Sequence, residues 1–129
     1  MRYVYFISPV GSDPSYAAKR SILASLESEL GVTFFFPLEQ HTSFAFEAAK
    51  TDLALAYLVI ADLSLERPSC YFELGLAEAV GAPVAVIVAS GTMLHQTGNA
   101  LPLHTYADLD EYRNAVCQAV SSAGRGRDA

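Results

Sequence analysis

The sequence predicts a single α/β domain, a parallel sheet with helices on both faces, and three observations carry that prediction. Apolar β-forming runs alternate with segments of helical period along most of the chain. Two of those runs, Val32-Thr33-Phe34-Phe35-Phe36 and Leu58-Val59-Ile60-Ala61, have no polar alternation, the mark of strands buried on both faces. At 129 residues and 52% hydrophobic content, the chain is long enough to bury one core and too short for two.

The elements follow in order. Residues 3–7 form the first strand, and Ser8-Pro9-Val10-Gly11-Ser12-Asp13-Pro14 is a loop by its Pro and Gly content. Residues 16–30 form a helix with apolar positions Ala18, Ile22, Leu26 and Leu30, closed by Gly31 as its C-cap. Residues 32–36 are the second strand and 37–43 a loop. A second helix over residues 44–57, with Phe46, Ala49, Leu53 and Ala56 on its apolar face, leads into the strand 58–62. A polar connection precedes the helix 71–80, Gly81-Ala82-Pro83 ends it, and residues 84–88 are the fourth strand. Residues 90–103 have no clear period and read as a mobile segment. The domain closes with a helix over 110–120, and the composition of 121–129 predicts a disordered tail. The expected architecture is a Rossmann-like (flavodoxin-like) sheet, in which ligands sit beyond the carboxyl ends of the strands.

Charge and composition narrow the function. The formal net charge is −6 and the eight basic residues are scattered, so no basic face is available to displace counterions from DNA or RNA. A small anion remains compatible with such a chain, since helix-start amides hold phosphate without lysines. No run approaches the roughly 18 apolar residues that cross a bilayer. The start of the chain runs directly into a strand with no cleavage-site pattern, so a cytoplasmic protein is expected. Two cysteines far apart, Cys70 and Cys117, predict no disulfide in that compartment. No His or Cys pair has metal-ligand spacing, and neither a metal nor a cofactor is expected.

The most informative stretch is Val59-Ile60-Ala61-Asp62-Leu63-Ser64 followed by Cys70-Tyr71-Phe72-Glu73-Leu74-Gly75-Leu76-Ala77. Asp62 closes a buried strand, and Glu73 falls in the first predicted turn of a helix, on the face of Leu76, Ala77 and Val80. A carboxylate withdrawn from water is costly unless donors, cations or a ligand compensate it. Glu73 is therefore either a partner of the helix N-terminus or a group retained for chemistry. Both carboxylates are expected at the same edge of the sheet.

These residues, in this order, resemble the nucleoside 2-deoxyribosyltransferase-like family, which includes nucleoside monophosphate N-glycoside hydrolases. The likeness spans residues 3–118. It rests on the aromatic strand end Tyr5-Phe6-Ile7-Ser8-Pro9, the acidic strand end Asp62, and the helix start Glu73-Leu74-Gly75. It implies a glutamate nucleophile at Glu73, held by Tyr5, with Asp62 orienting or protonating the leaving base. The substrate would be a small nucleoside or nucleotide, contacted by Ser8, Gly11, Ser12, Asp52, Ser69 and His95, and the assembly a homodimer or larger. There are departures: the first loop lacks the arginine of the monophosphate hydrolases, Ser69 lies closer to Glu73 than the family's phosphate-binding serine, and Asp52 is about one turn displaced. His95 falls in the stretch that in relatives enters a neighbouring subunit's site. Ala61-Asp62-Leu63-Ser64 with the Glu73 helix also resembles TIR-like nucleotide-binding domains, which implies NAD hydrolysis or nucleotide sensing as the alternative.

Overall fold

The computed structural model describes residues 2–37, 45–65, 67–95 and 101–128, with side chains in the last helix to residue 123. The elements run β1 (Arg2–Ile7), α1 (Tyr16–Leu30), β2 (Val32–Phe35), α2 (Phe46–Leu55), β3 (Leu58–Asp62), α3 (Pro68–Ala79), β4 (Val84–Ala89), β5 (Leu103–Tyr106) and α4 (Leu109–Asp128). All neighbouring strands pair in parallel, in the order β2-β1-β3-β4-β5. The chain moves outward from β1 to β2 and then returns to β3 on the other side of β1. The β1/β3 boundary is thus the switch point of the sheet, where a crevice opens beyond the strand ends.

Strand parity divides the core into two layers. Val4, Phe6, Leu58, Ile60, Ala85 and Ile87 pack under α1 and α4, with Leu23, Leu26 and Val116. Tyr5, Ile7, Val59, Ala61, Val84 and Val86 pack under α2 and α3, with Leu53, Leu74 and Ala77. This two-sided burial explains why the strands read as apolar runs rather than alternating ones.

Helix α1 keeps its expected bounds, and Gly31 caps it at φ 68°, its N–H donating to the Glu27 carbonyl at 2.9 Å. Its buried face is Lys19, Leu23 and Leu26, while Ala18 is exposed. In α2, Ala49 and Leu53 are buried and Ala56 beyond its end is also buried, whereas Phe46 stays 47% exposed beside Phe72.

Three expectations need correction. Residues 103–106 form β5 instead of ending an irregular segment; Leu103-His104-Thr105-Tyr106 is short and half exposed, so it leaves little periodic signal. Helix α4 runs on to Asp128 where a disordered tail was expected, because Ala119, Val120 and Ala123 continue the packing of Ala115 and Val116 one turn further. Helix α3 starts at Pro68, three residues before the expected start, with the proline in the first turn where its missing N–H costs nothing. Of the expected loop at 37–43, residues 38–43 lie outside the described residues. No described helix is long and apolar enough to cross a membrane.

Candidate active site

The earlier start of α3 changes what Glu73 is. It sits in the second turn, beyond the free amides of the helix N-terminus, and no acidic residue occupies the first turn. The helix end therefore does not explain its burial. Glu73 is 2% exposed, and the group that meets it is Tyr5, whose hydroxyl donates to Glu73 Oε2 at 3.0 Å. Tyr5 is on the same sheet face through strand parity, fully buried, with Phe35 packed edge-on at 5.5 Å.

Burial pushes the Glu73 carboxyl above its ordinary value of 4.5, and the Tyr5 hydrogen bond pulls it partly back. Tyr5 is held above its ordinary value by burial first, then by the charge and hydrogen bond of Glu73 and by the charge of Asp52. It therefore stays a protonated donor. Asp52 is on α2, half-buried, and its carbonyl accepts the Tyr3 hydroxyl. With Tyr3, Thr33, Phe35 and Leu55 it lines a cavity of about 410 Å³. Glu73 and Asp52 thus act on one tyrosine from two helices.

Cys70, one turn before Glu73, is buried, and its thiol is pushed up to about 12 by burial, then by the charges of Glu73 and Asp62. Such a thiol is neutral and unreactive.

Asp62 does not join Glu73. Both lie at the carboxyl edge, but Asp62 has the parity of Leu58 and Ile60 and so faces α1, on the opposite side of the sheet. It is 1% exposed and fully engaged. The Tyr106 hydroxyl donates to Asp62 Oδ2 at 3.0 Å, the Ser64 N–H and hydroxyl donate to Oδ1, and Lys19 Nζ lies 3.5 Å away. The two carboxylates share the expected edge but not a face, because Asp62 and its strand neighbours Val59 and Ala61 point to opposite sides of the sheet.

Lys19 is the residue that sequence reasoning passed over. Its ammonium, on a residue 6% exposed overall, donates to Asp13 Oδ2 at 2.6 Å and to Tyr106 Oη at 2.8 Å. Burial alone would lower its pKa, but Asp62, Asp13 and Tyr106 outweigh that and hold it above its ordinary value. A cavity of about 280 Å³ opens beside this cluster, lined by Asp13, Lys19, Ser64, Tyr106 and Asp108 among others. A signal was present: Lys19, Leu23 and Leu26 share one helix face, so a lysine stands where a buried residue belongs.

The other candidates are dispersed around the carboxyl edge. Ser8 is 7% exposed, and its hydroxyl has no hydrogen-bond partner among the described residues. Gly11 and Ser12 are exposed in the same loop. Ser69 is exposed in the first turn of α3. His95 lies beside Tyr71 of its own α3, ring centroids 5.4 Å apart, its N–H donating to the Tyr71 hydroxyl at 3.0 Å. Among the described residues no group of His, Cys, Asp and Glu could hold a metal ion.

No protein-family model matches the chain, and no curated protein matches it in sequence. Solved structures do match. A 2-deoxyribosyltransferase from Leishmania mexicana is similar at TM-score 0.59 and 21% identity, over 94% of this chain and 98% of that one. A CMP N-glycosidase, BcmB, from Clostridium botulinum is similar at TM-score 0.60 and 16% identity, over 90% and 99%. A 2-deoxyribosyltransferase from Bacillus psychrosaccharolyticus is similar at TM-score 0.54 and 18% identity, over 87% and 90%. The chain therefore has the fold of the nucleoside 2-deoxyribosyltransferase-like group.

Proposed function

We propose that this protein breaks the N-glycosidic bond of a nucleoside or nucleoside 5′-monophosphate, through a glycosyl ester on Glu73. The observation that carries the reading is the Glu73 carboxyl, buried in apolar packing and met by the Tyr5 hydroxyl. The fold likeness to enzymes named as 2-deoxyribosyltransferases and a CMP N-glycosidase supports it.

In this reading the ionised Glu73 attacks the anomeric carbon as the bond to the base breaks. The electron pair of that bond leaves with the base, which takes up a proton. Water then attacks the same anomeric carbon, losing a proton as the Glu73 carboxylate departs and the sugar is released, or a second base attacks that carbon and transfer results. Tyr5 fixes one carboxylate oxygen and leaves the other to react. Desolvation strengthens the nucleophile, while the Tyr5 bond favours its ionised form. Asp52, within electrostatic reach of Tyr5, is assigned to the base. Ser8, Gly11 and Ser12 hold the sugar or its phosphate, Ser69 and His95 lie at the rim, and Asp62 is left to the Lys19 cluster. The working unit is read as a homodimer.

The test is incubation with a panel of nucleosides, nucleoside monophosphates and NAD, with chromatography to detect free base. Wild type is expected to release base and Glu73→Ala to release none while remaining folded by circular dichroism. Tight binding of a nucleotide that stays intact would replace the enzyme with a binding module. Nicotinamide as the only released base would favour a TIR-like NAD hydrolase.

A further inference from the structure

The Lys19 cluster sits on the wrong face of the sheet to touch a sugar held by Glu73, yet it is anchored to the loop that the proposed function assigns to substrate. Asp13 belongs to that loop. Its Oδ1 accepts the Ser15 N–H at 2.8 Å, its own N–H donates to the Pro9 carbonyl at 3.2 Å, and its Oδ2 takes the Lys19 ammonium. Ser12 N–H also donates to the Pro9 carbonyl, at 3.3 Å, and Val10 N–H to the Ser8 carbonyl at 3.0 Å. The loop is thus a compact double turn, with a single charged tie to the body of the protein at its far end.

That tie leads to a rigid base. Tyr106 from β5 bonds Lys19 and Asp62, Ser64 donates to the same Asp62 carboxylate, and Ser64 Oγ in turn accepts the Ala89 N–H at the end of β4, at 2.8 Å. The carboxyl ends of β3, β4 and β5 are therefore joined through one buried network, and Lys19 extends it to the β1–α1 loop. At the near end of the loop, Ser8 presents a buried hydroxyl with no partner among the described residues, an unsatisfied group that a ligand oxygen would complete.

We propose that Lys19 and Asp13 form a positioning pair: the buried ion pair sets the shape of the β1–α1 loop, and so holds Ser8 and the Gly11–Ser12 backbone where substrate binds. This rests on the reading of that loop as a substrate loop. The pair contacts no substrate itself. Its loss is expected to weaken binding without slowing the chemical step, because Glu73 and Tyr5 are held by the other face of the sheet.

Asp13→Asn tests it most gently, since the amide keeps the Oδ1 bond to Ser15 and leaves Lys19 with Asp62 and Tyr106. Lys19→Met is the second variant. In both, hydrogen exchange at the amides of Val10, Ser12 and Asp13 is expected to speed up. KM for base release is expected to rise about tenfold, with kcat within about twofold, the pattern of lost ground-state binding. Unchanged exchange in folded Asp13→Asn would overturn the proposal, and so would faster exchange with an unchanged KM. Should wild type release no base from any substrate, the Glu73 reading falls, and the same comparison passes to equilibrium binding of AMP and CMP. Weaker binding by Asp13→Asn then supports the positioning pair, while equal binding, or none by wild type, overturns it.

Discussion

Glu73→Gln should stabilise the protein relative to wild type by an amount that grows with pH. Burial raises the folded pKa of Glu73 above 4.5, so the folded state keeps a proton that the unfolded chain has released. Below 4.5 both states are protonated and the full stability is present; it is lost as pH rises from 4.5 to the folded value, and the loss is constant beyond. Glutamine mimics the protonated side chain and keeps an acceptor for the Tyr5 hydroxyl. Within that window the difference between the two proteins grows by up to about 1.4 kcal/mol per pH unit. For a domain of this size that is a divergence in Tm of about 3–5 °C per unit. Thermal denaturation of both proteins across the acidic to neutral range reads it directly. The offset at the acid end reports how well the amide fits and cancels from the slope. Two curves that stay parallel, or a wild type that gains on the variant as pH rises, would refute the argument that a desolvated carboxyl destabilises this fold. A positive result has a functional meaning, since stability given up at a buried acid is the mark of a site kept for chemistry.

Other substitutions report on the neighbours of that acid. Tyr5→Phe removes a bond that lowers the Glu73 pKa, so the acidic limb of the pH–rate profile should move to higher pH, with a loss in kcat of about tenfold or more; an unmoved limb would contradict the pairing. Lys19→Met leaves Asp62 buried without its cation and should cost about 3–5 kcal/mol in urea denaturation, with the larger share in the midpoint rather than the slope. Cys70→Ala should leave kcat within about twofold, and iodoacetamide should label Cys70 in the native protein far more slowly than after unfolding, because its thiol is buried and neutral.

The fold was readable where burial was two-sided. β1 to β4 and α1 announce themselves because unbroken apolar runs and a 3.6-residue stripe with a glycine cap admit few alternatives. β5 was hidden because an edge strand of four residues, only one of them buried, has almost no pattern. The extension of α4 was hidden because a run of Ala, Ser, Gly and Arg has no strong preference until Ala123 meets the core. At the site, Glu73 was legible as an acid among apolar neighbours. Its partner had no local signal: Tyr5 is 68 residues away and was paired with it through the family resemblance alone, and in the fold the β1–β3 pairing and the position of α3 bring the two together. Asp62 misled for a related reason. A sequence shows that a residue lies at the end of a strand, but the face it takes depends on the parity of the whole sheet, and one step reverses it. The Lys19 stripe could have been found, since the choice between Ala18 and Lys19 as the inward position decided whether a buried cation would be seen.

The central claim is that Glu73 bonds covalently to a sugar. Mass spectrometry of the protein quenched in acid during turnover, with a nucleoside substrate whose sugar carries fluorine at C2 to slow breakdown of the ester, tests it most directly. The expected result is a single added glycosyl group on the peptide that contains Glu73, absent from Glu73→Gln. Release of base with no adduct on that peptide, at a rate that Glu73→Gln retains, would contradict it.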